Sequence, residues 1–249
     1  MITSLTSPKI ARVRRLLETH SPRDREELGA FVVEGLRAVR TALDHSSVEE
    51  VFATEKWATQ FPAATLISED VAKKVSDTVS TQGLFAVVKL SGKTELTGLV
   101  DDVAIFIELQ DPGNAGTVIR SAHAFGLGLV ALSKGSVDPY SAKVVRSSVG
   151  SITAVALSTG ESWHAVLDSL RPSHQLVAFD TDGIDIREFE PTRPIAMVFG
   201  NEARGLPSEI LNDDSIIKVK IPMRGDVESL NVASAATIAM YEISQRRRA

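Results

Sequence analysis

The sequence contains no cysteine among its 249 residues. That excludes disulfides, thiolate-held zinc, iron–sulfur clusters and a cysteine nucleophile together. Histidine is scarce: His20, His45, His123, His164 and His174 are scattered without the spacing of metal ligands, so no metal is expected. Aromatic residues make up only 5%. No apolar run approaches the ~18 residues of a membrane span, and the opening MITSLTSPKIARVRR lacks the apolar core of a signal peptide. A soluble chain located in the cytoplasm, with no membrane partner, is the expectation.

What is present is a large apolar fraction, 43%, against 24% charged residues, with a mean hydropathy near zero. A chain of this length buries a sizeable core, as one large domain or two modest ones. The net charge of −5 argues against a generic nucleic-acid binder, but charge distribution matters more than its sum. Lys9, Arg12, Arg14 and Arg15 all precede the first acidic residue, Glu18, while Ile10, Val13, Leu16 and Leu17 recur at helical spacing. The basic residues then share one exposed helix face, which is either merely solvated or an arm that touches phosphates.

Two zones follow. The first alternates helices (Pro8–Glu18, Leu36–Asp44, Glu69–Asp77) with short strands (Phe31–Val33, Val48–Ala53, Thr65–Ile67, Leu84–Lys89). "SGKTELTG", Ser91–Gly98, is polar and Gly-bounded, as a linker would be. The expected division is therefore residues 1–92, a linker at 93–98, and residues 99–249. In the last of these, apolar runs such as "VAIFIEL", "LGLVALS", "QLVAFD", "IAMVFG" and "IIKVKIP" alternate with helical segments, ending in a helix from about Leu230. Uninterrupted apolar strands are buried on both faces, so the fold class is α/β: a mostly parallel sheet with helices on both faces, plus a small α/β N-terminal domain. Ligands of such sheets sit at the carboxyl ends of the strands.

Three Gly-rich polar stretches occupy such ends. In "DPGNAGTVIR", Asn114 is placed to cap a helix that carries Arg120 about two turns on. In "MVFGNEARGLP", Gly200 and Gly205 bracket Asn201, Glu202 and Arg204, and a loop salt bridge between Glu202 and Arg204 is the plain alternative to a functional role. In "IPMRGDVESLNVASAA", Ser229 reads as an N-cap and Asn231 as a first-turn residue. The small Ala233, Ser234, Ala235 and Ala236 allow close helix packing. GxGxxG, GxxxxGK[ST] and GxSxG are all absent, which argues against an ordinary dinucleotide site, a P-loop and a nucleophile elbow.

Taken in order, these stretches resemble the SpoU family of RNA ribose 2′-O-methyltransferases in the SPOUT superfamily. The motifs are Asn114, Gly116 and Arg120; Arg146, Ser148 and Gly150; Phe199, Gly200, Glu202, Gly205 and Leu206; and Ile221, Pro222, Met223, Gly225, Ser229, Leu230 and Asn231. The first zone, with "FVVEGLRAV" at Phe31–Val39, is similar to the L30e-like substrate-binding domain of that family. The resemblance implies a C-terminal trefoil knot, an exception to the rule against threaded chains, and S-adenosylmethionine as cofactor. It also implies a homodimer with the catalytic site at the subunit interface, and an RNA partner, with 23S ribosomal RNA preferred and tRNA the alternative. By position it implies donor contacts from Phe199, Gly200, Ile221, Met223 and Leu230, and a catalytic set of Arg120, Asn114, Glu202, Ser229 and Asn231. Substrate contacts fall to Arg12, Arg14, Arg15, Arg37 and Arg146. A catalytically silent RNA-binding relative would have lost Asn114, Arg120 or the SLN tripeptide, and an enzyme acting on a base nitrogen would not carry the ribose-type first motif.

Overall fold

The computed structural model describes residues 1–19, 21–76, 78, 80–92 and 94–247. His20, the predicted helix end at Asp77, Lys93 of the predicted linker, and Arg248 and Ala249 lie outside the described residues. In chain order the elements are α1 (Pro8–Glu18), α2 (Pro22–Leu28), β1 (Ala30–Glu34), α3 (Leu36–His45), β2 (Val48–Ala53), β3 (Thr65–Leu66), α4 (Glu69–Val75) and β4 (Leu84–Lys89). Then come β5 (Val103–Phe106), α5 (Pro112–Phe125), β6 (Leu129–Leu132), α6 (Ala142–Ser147), β7 (Ala156–Thr159), α7 (Trp163–Leu170), β8 (Gln175–Asp185), β9 (Ile195–Phe199), α8 (Ser208–Leu211), β10 (Ile217–Lys220) and α9 (Val232–Arg246). Among the described residues no helix is long and apolar enough to cross a membrane.

Two compact units form, Met1–Gly92 with Asp138–Ala154, and Lys93–Val137 with Val155–Ala249. In the first, the sheet order is β1-β4-β2-β3, with β4 antiparallel to both β1 and β2 and β3 parallel to β2. Ile10, Val13 and Leu16 of α1, spaced on one helix face, enter the core with Val32, Phe52 and Phe85. Residues 138–154, assigned by the sequence reading to the second domain, pack into this unit. One tie is a buried ion pair: Arg25, only 2% exposed, reaches Asp138 at 2.9 Å, and its other nitrogens donate to the carbonyls of Leu16 and Thr19; α6 also packs on β1. A buried guanidinium is tolerable only with such partners.

The second unit holds a six-stranded sheet, β10-β8-β9-β5-β6-β7, parallel at every pairing. Its central strands are the uninterrupted apolar ones: β5, β6 and β9 are buried at every position, as strands covered on both faces must be. The predicted linker does not stand apart from this unit. Leu96 lies in its core and the Thr94 hydroxyl donates to the Leu157 carbonyl at 2.9 Å. From β5 the chain builds outward through β6 and β7, then crosses to build β8, β9 and β10 on the other side. The order reverses between β5 and β9, where ligand crevices form in open parallel sheets.

Candidate active site

At the carboxyl ends of β5 and β9, and beside them midway along β8, three of the chain's nine phenylalanines stack. Phe106 and Phe199 are register partners with ring centroids 5.1 Å apart, and Phe179 lies 4.9 Å from Phe199 on the far side. Above them opens a cavity of about 460 Å³, lined in part by Phe199, Gly200, Ile221, Met223 and Leu230. All five expected donor-contact residues therefore line one cavity, together with Glu202, Ser229 and Asn231 of the expected catalytic set.

The loop after β9 is a tight turn. Asn201 and Gly205 exchange both backbone hydrogen bonds, at 3.0 and 2.9 Å, and Gly205 adopts φ +67°, a left-handed conformation that favours glycine. Gly200 has a different reason to be glycine: a Cβ there would sit 2.3 Å from the Gly205 carbonyl carbon and 2.5 Å from the Leu206 nitrogen. A side chain at 200 meets the backbone of its own turn. The Asn201 side chain fastens the turn, donating to the Glu108 carbonyl at 2.8 Å and accepting from the Ala203 and Arg204 amides. Arg204 pairs with Glu108, not with Glu202, so the loop salt bridge weighed for Glu202 does not form.

Glu202 instead faces the start of α5. Its carboxylate accepts from the Asp111 amide at 3.2 Å, the Gln110 amide at 3.3 Å and Asn114 Nδ2 at 3.2 Å. Burial pushes the Glu202 pKa up. Hydrogen bonds from its own amide, from Asp111, from the Asn114 side chain and from Gln110 outweigh that, and the net shift is downward. The positive end of the helix adds to this preference for the ionised form.

Asn114 is not the helix cap. Asp111 is: it stands before Pro112 in the first helical position, and its Oδ1 accepts from the Asn114 amide at 2.9 Å. The Asn114 side chain is thereby free to donate to Glu202 and to accept, through Oδ1, from Asn231 Nδ2 at 3.1 Å. The cap of α9 also differs from expectation. Asn231, not Ser229, caps it, accepting from the amides of Ala233 at 2.9 Å and Ser234 at 3.2 Å. The small residues Ala233, Ala236 and Ala239 are buried inside this unit, where α9 packs against α5 and Ser121 and Thr237 share a hydroxyl contact of 2.7 Å.

Arg120 stands outside the cavity lining. It is exposed on α5 and forms no hydrogen bond or ion pair among the described residues. The arginines expected to hold substrate lie in the first unit. Arg37 and Arg146 line one cleft of about 130 Å³ with Glu34, Gly35 and Gln82. On α1 the basic face is largely matched: Arg12 pairs with Glu49 at 2.6 Å, Arg14 with Glu18 at 3.0 Å, and Lys9 with Glu50. Only Arg15 of the four lacks an ion pair among the described residues. Exposed pairs of this kind are worth at most about 1 kcal/mol and do not lock the side chains. Ser148 and Gly150 serve local structure: the buried Ser148 hydroxyl donates to the Val145 carbonyl, and Gly150 lies against the backbone of Ala38. His164 faces Glu209 at 3.2 Å, and His174 is buried between Ser173 and the Asp101 carbonyl. Phe179, Asp180 and Thr181 also line the cavity above the stacked phenylalanines. No motif marks them; only their place at the end of the apolar run "QLVAF" does.

Residues 102–241 match the SpoU rRNA Methylase family and residues 8–86 match the MRM3-like substrate binding domain. The chain is 28% identical over 250 residues to the 23S rRNA (guanosine(2553)-2′-O)-methyltransferase RlmP of Bacillus subtilis, covering 96% of this chain and 98% of that one. Among solved structures it is similar to the AdoMet-bound rRNA methyltransferase from Sinorhizobium meliloti, with a TM-score of 0.83 and 26% identity over 99% of this chain and 97% of the other. It is also similar to the SpoU methyltransferase AviRb from Streptomyces viridochromogenes in complex with AdoMet, with a TM-score of 0.82 and 27% identity over 98% and 99%. The family match spans more than half of the sequence and includes every residue of the Asn114–Glu202–Asn231 contact: this chain belongs to the SpoU rRNA methylase family.

Proposed function

We propose that the protein methylates a ribose 2′-hydroxyl of ribosomal RNA, 23S by preference, with S-adenosylmethionine as donor. The observation that carries this reading is the convergence of Asn114, Glu202 and Asn231 beside a cavity that the five expected donor residues line. The cavity suits an adenosine: Leu206, Ile221, Leu230 and Val232 make an apolar slot, and the strand ends bring backbone polar groups to it. When bound, the donor supplies an electrophilic methyl group to the ribose oxygen.

The protein's own groups then have three tasks. Leu206, Ile221 and Leu230 exclude water from the adenosine. The Glu202–Asn114–Asn231 contacts fix the α5 and α9 termini against the cavity, so that the reacting groups meet in line. Arg120 supplies fixed positive charge to the oxygen as its proton passes to solvent water and the methyl leaves the donor's sulfur, which would depart as the neutral thioether. Because Arg120 is exposed outside the cavity lining, this reading calls for a homodimer in which one protomer's Arg120 serves its partner's cavity. Exposed Ile238 and Tyr241 on α9 support it, as apolar surface suited to a second copy. The segment from β9 to α9 is the part that forms the trefoil knot in this reading. The first unit holds the RNA through Arg15, Arg37 and Arg146, and an enzyme of ribosomal RNA works in the cytoplasm.

The test is methyl transfer from tritiated donor to deproteinised RNA of a strain lacking the gene, followed by alkaline hydrolysis. An alkali-resistant labelled dinucleotide from 23S RNA is expected. Label released as a base-methylated mononucleotide, or no transfer to any RNA, would overturn the reading, and label confined to tRNA would overturn its ribosomal part.

A further inference from the structure

The donor cavity carries an unusual charge pattern. Its lining has two carboxylates, Asp180 and Glu202, and no basic side chain. Glu202 is occupied by the Gln110 and Asp111 amides and by Asn114. The Asp180 side chain forms no hydrogen bond or ion pair among the described residues, although it is half-buried midway along β8, just past the stretch that pairs with β9. Arg204, the one cation of the Gly200–Leu206 turn, is committed to Glu108. A carboxylate held without a partner in a concave, partly apolar site loses hydration without compensation, and a cationic ligand restores it.

Resting on the donor reading above, the geometry points to Asp180 as the residue that makes this cavity prefer the charged donor to its spent product. S-adenosylmethionine, with its sulfonium and ammonium against one carboxylate, carries one more positive charge than S-adenosylhomocysteine. The two are otherwise the same shape apart from a methyl group. A cavity with an unmatched negative charge therefore binds the first more tightly and releases the second after transfer. A polar role for Asp180 at the ribose hydroxyls, which both molecules share, would give no such difference. One charge acting across a ligand-sized cavity, at an effective dielectric of about 20 and screened by salt, changes affinity by about tenfold.

Calorimetric titration of the full chain with S-adenosylmethionine, S-adenosylhomocysteine and sinefungin, whose amine replaces the sulfonium by another cation, separates the cases. Asp180→Asn is expected to weaken S-adenosylmethionine and sinefungin by about tenfold and S-adenosylhomocysteine by about twofold or less. Asp180→Glu retains the wild-type ratio. Equal weakening of all three ligands, or none, would overturn the proposal while leaving the donor reading intact. If the wild-type chain binds none of them, the donor reading itself fails and the proposal with it. Should Asp180→Asn not fold, the wild-type protein still decides: its preference for S-adenosylmethionine over S-adenosylhomocysteine must shrink as salt rises from low to high concentration, and a salt-independent ratio refutes the charge argument.

Discussion

Asn231 Nδ2 donates to Asn114 Oδ1 at 3.1 Å, joining residues 117 positions apart in the sequence. The same Asn231 caps α9 through Oδ1, so one side chain holds a helix end with its oxygen and a neighbouring motif with its nitrogen. These two roles separate by substitution. Asn231→Ala loses both, and the cap alone costs about 1 kcal/mol. Asn231→Asp keeps an equally good cap but has no donor for Asn114. In urea unfolding the Asp variant should recover most of the stability the Ala variant loses, while single-turnover methyl transfer stays depressed in both. Full transfer by the Asp variant would show that the Asn114 contact is dispensable.

Gly200 and Gly225 both belong to recognisable motifs, yet they differ physically. A Cβ at 200 would collide with backbone atoms of Gly205 and Leu206, whereas at 225 it meets nothing within 4 Å and the backbone is not left-handed. Gly200→Ala should therefore destabilise the protein by about 2 kcal/mol or more, because backbone in a closed turn cannot move aside as a flexible side chain does. Gly225→Ala should leave the unfolding midpoint within about 0.5 kcal/mol of wild type. The effect of any side chain at 200 is on the turn first and on donor affinity second. A stable Gly200→Ala variant with weakened donor binding would reverse that order.

Glu202 makes stability depend on pH in a definite direction. Its folded-state pKa lies below the ordinary value of about 4.3, so its interactions contribute fully above that value. The contribution is lost as pH falls through the depressed folded value. Glu202→Gln keeps the shape but cannot carry the charge. Urea midpoints of the two proteins should differ by a constant amount above the ordinary carboxylate range and converge as pH falls below it. A gap that widens with acidification would mean that the folded protein holds Glu202 protonated.

The parallel sheet was largely legible from the sequence, because burial on both faces writes itself as apolar runs: β5, β6 and β9, buried at every position, fall inside "VAIFIEL", "LGLVALS" and "IAMVFG", and in the first unit β2, β4 and α1 have the bounds expected. What the sequence concealed depended on tertiary partners. The segment "PRDREEL" has almost no apolar periodicity, yet it is a helix, α2. It is fixed by the Ser21 cap, by Gly29 in a left-handed C-terminal position and by the buried Arg25. In "DPGN" both Asp and Asn are good caps, and local chemistry cannot say which one the rest of the site needs free. Asp180 carries no motif because its role comes from the wall opposite, which lies some forty residues further along in sequence.

Arg120 poses the remaining chemical question, since a 2′-hydroxyl must lose a proton as it attacks. A guanidinium holds its proton across the pH range in which proteins are folded, so it cannot readily accept another. Its fixed charge and planar fork, by contrast, stabilise a developing alkoxide or clamp a neighbouring phosphate. Arg120 is exposed and forms no ion pair among the described residues, so no carboxylate there neutralises that charge. Arg120→Ala should lower the single-turnover rate by about a hundredfold or more, and Arg120→Lys, which keeps charge without the fork, should fall between. Donor affinity should hold in both, because the side chain lies outside the cavity lining. Rates measured across pH decide the matter: if Lys and Ala lose equally, and a rise with pH seen in the wild type vanishes in both, Arg120 acts as the base and the electrostatic assignment is wrong.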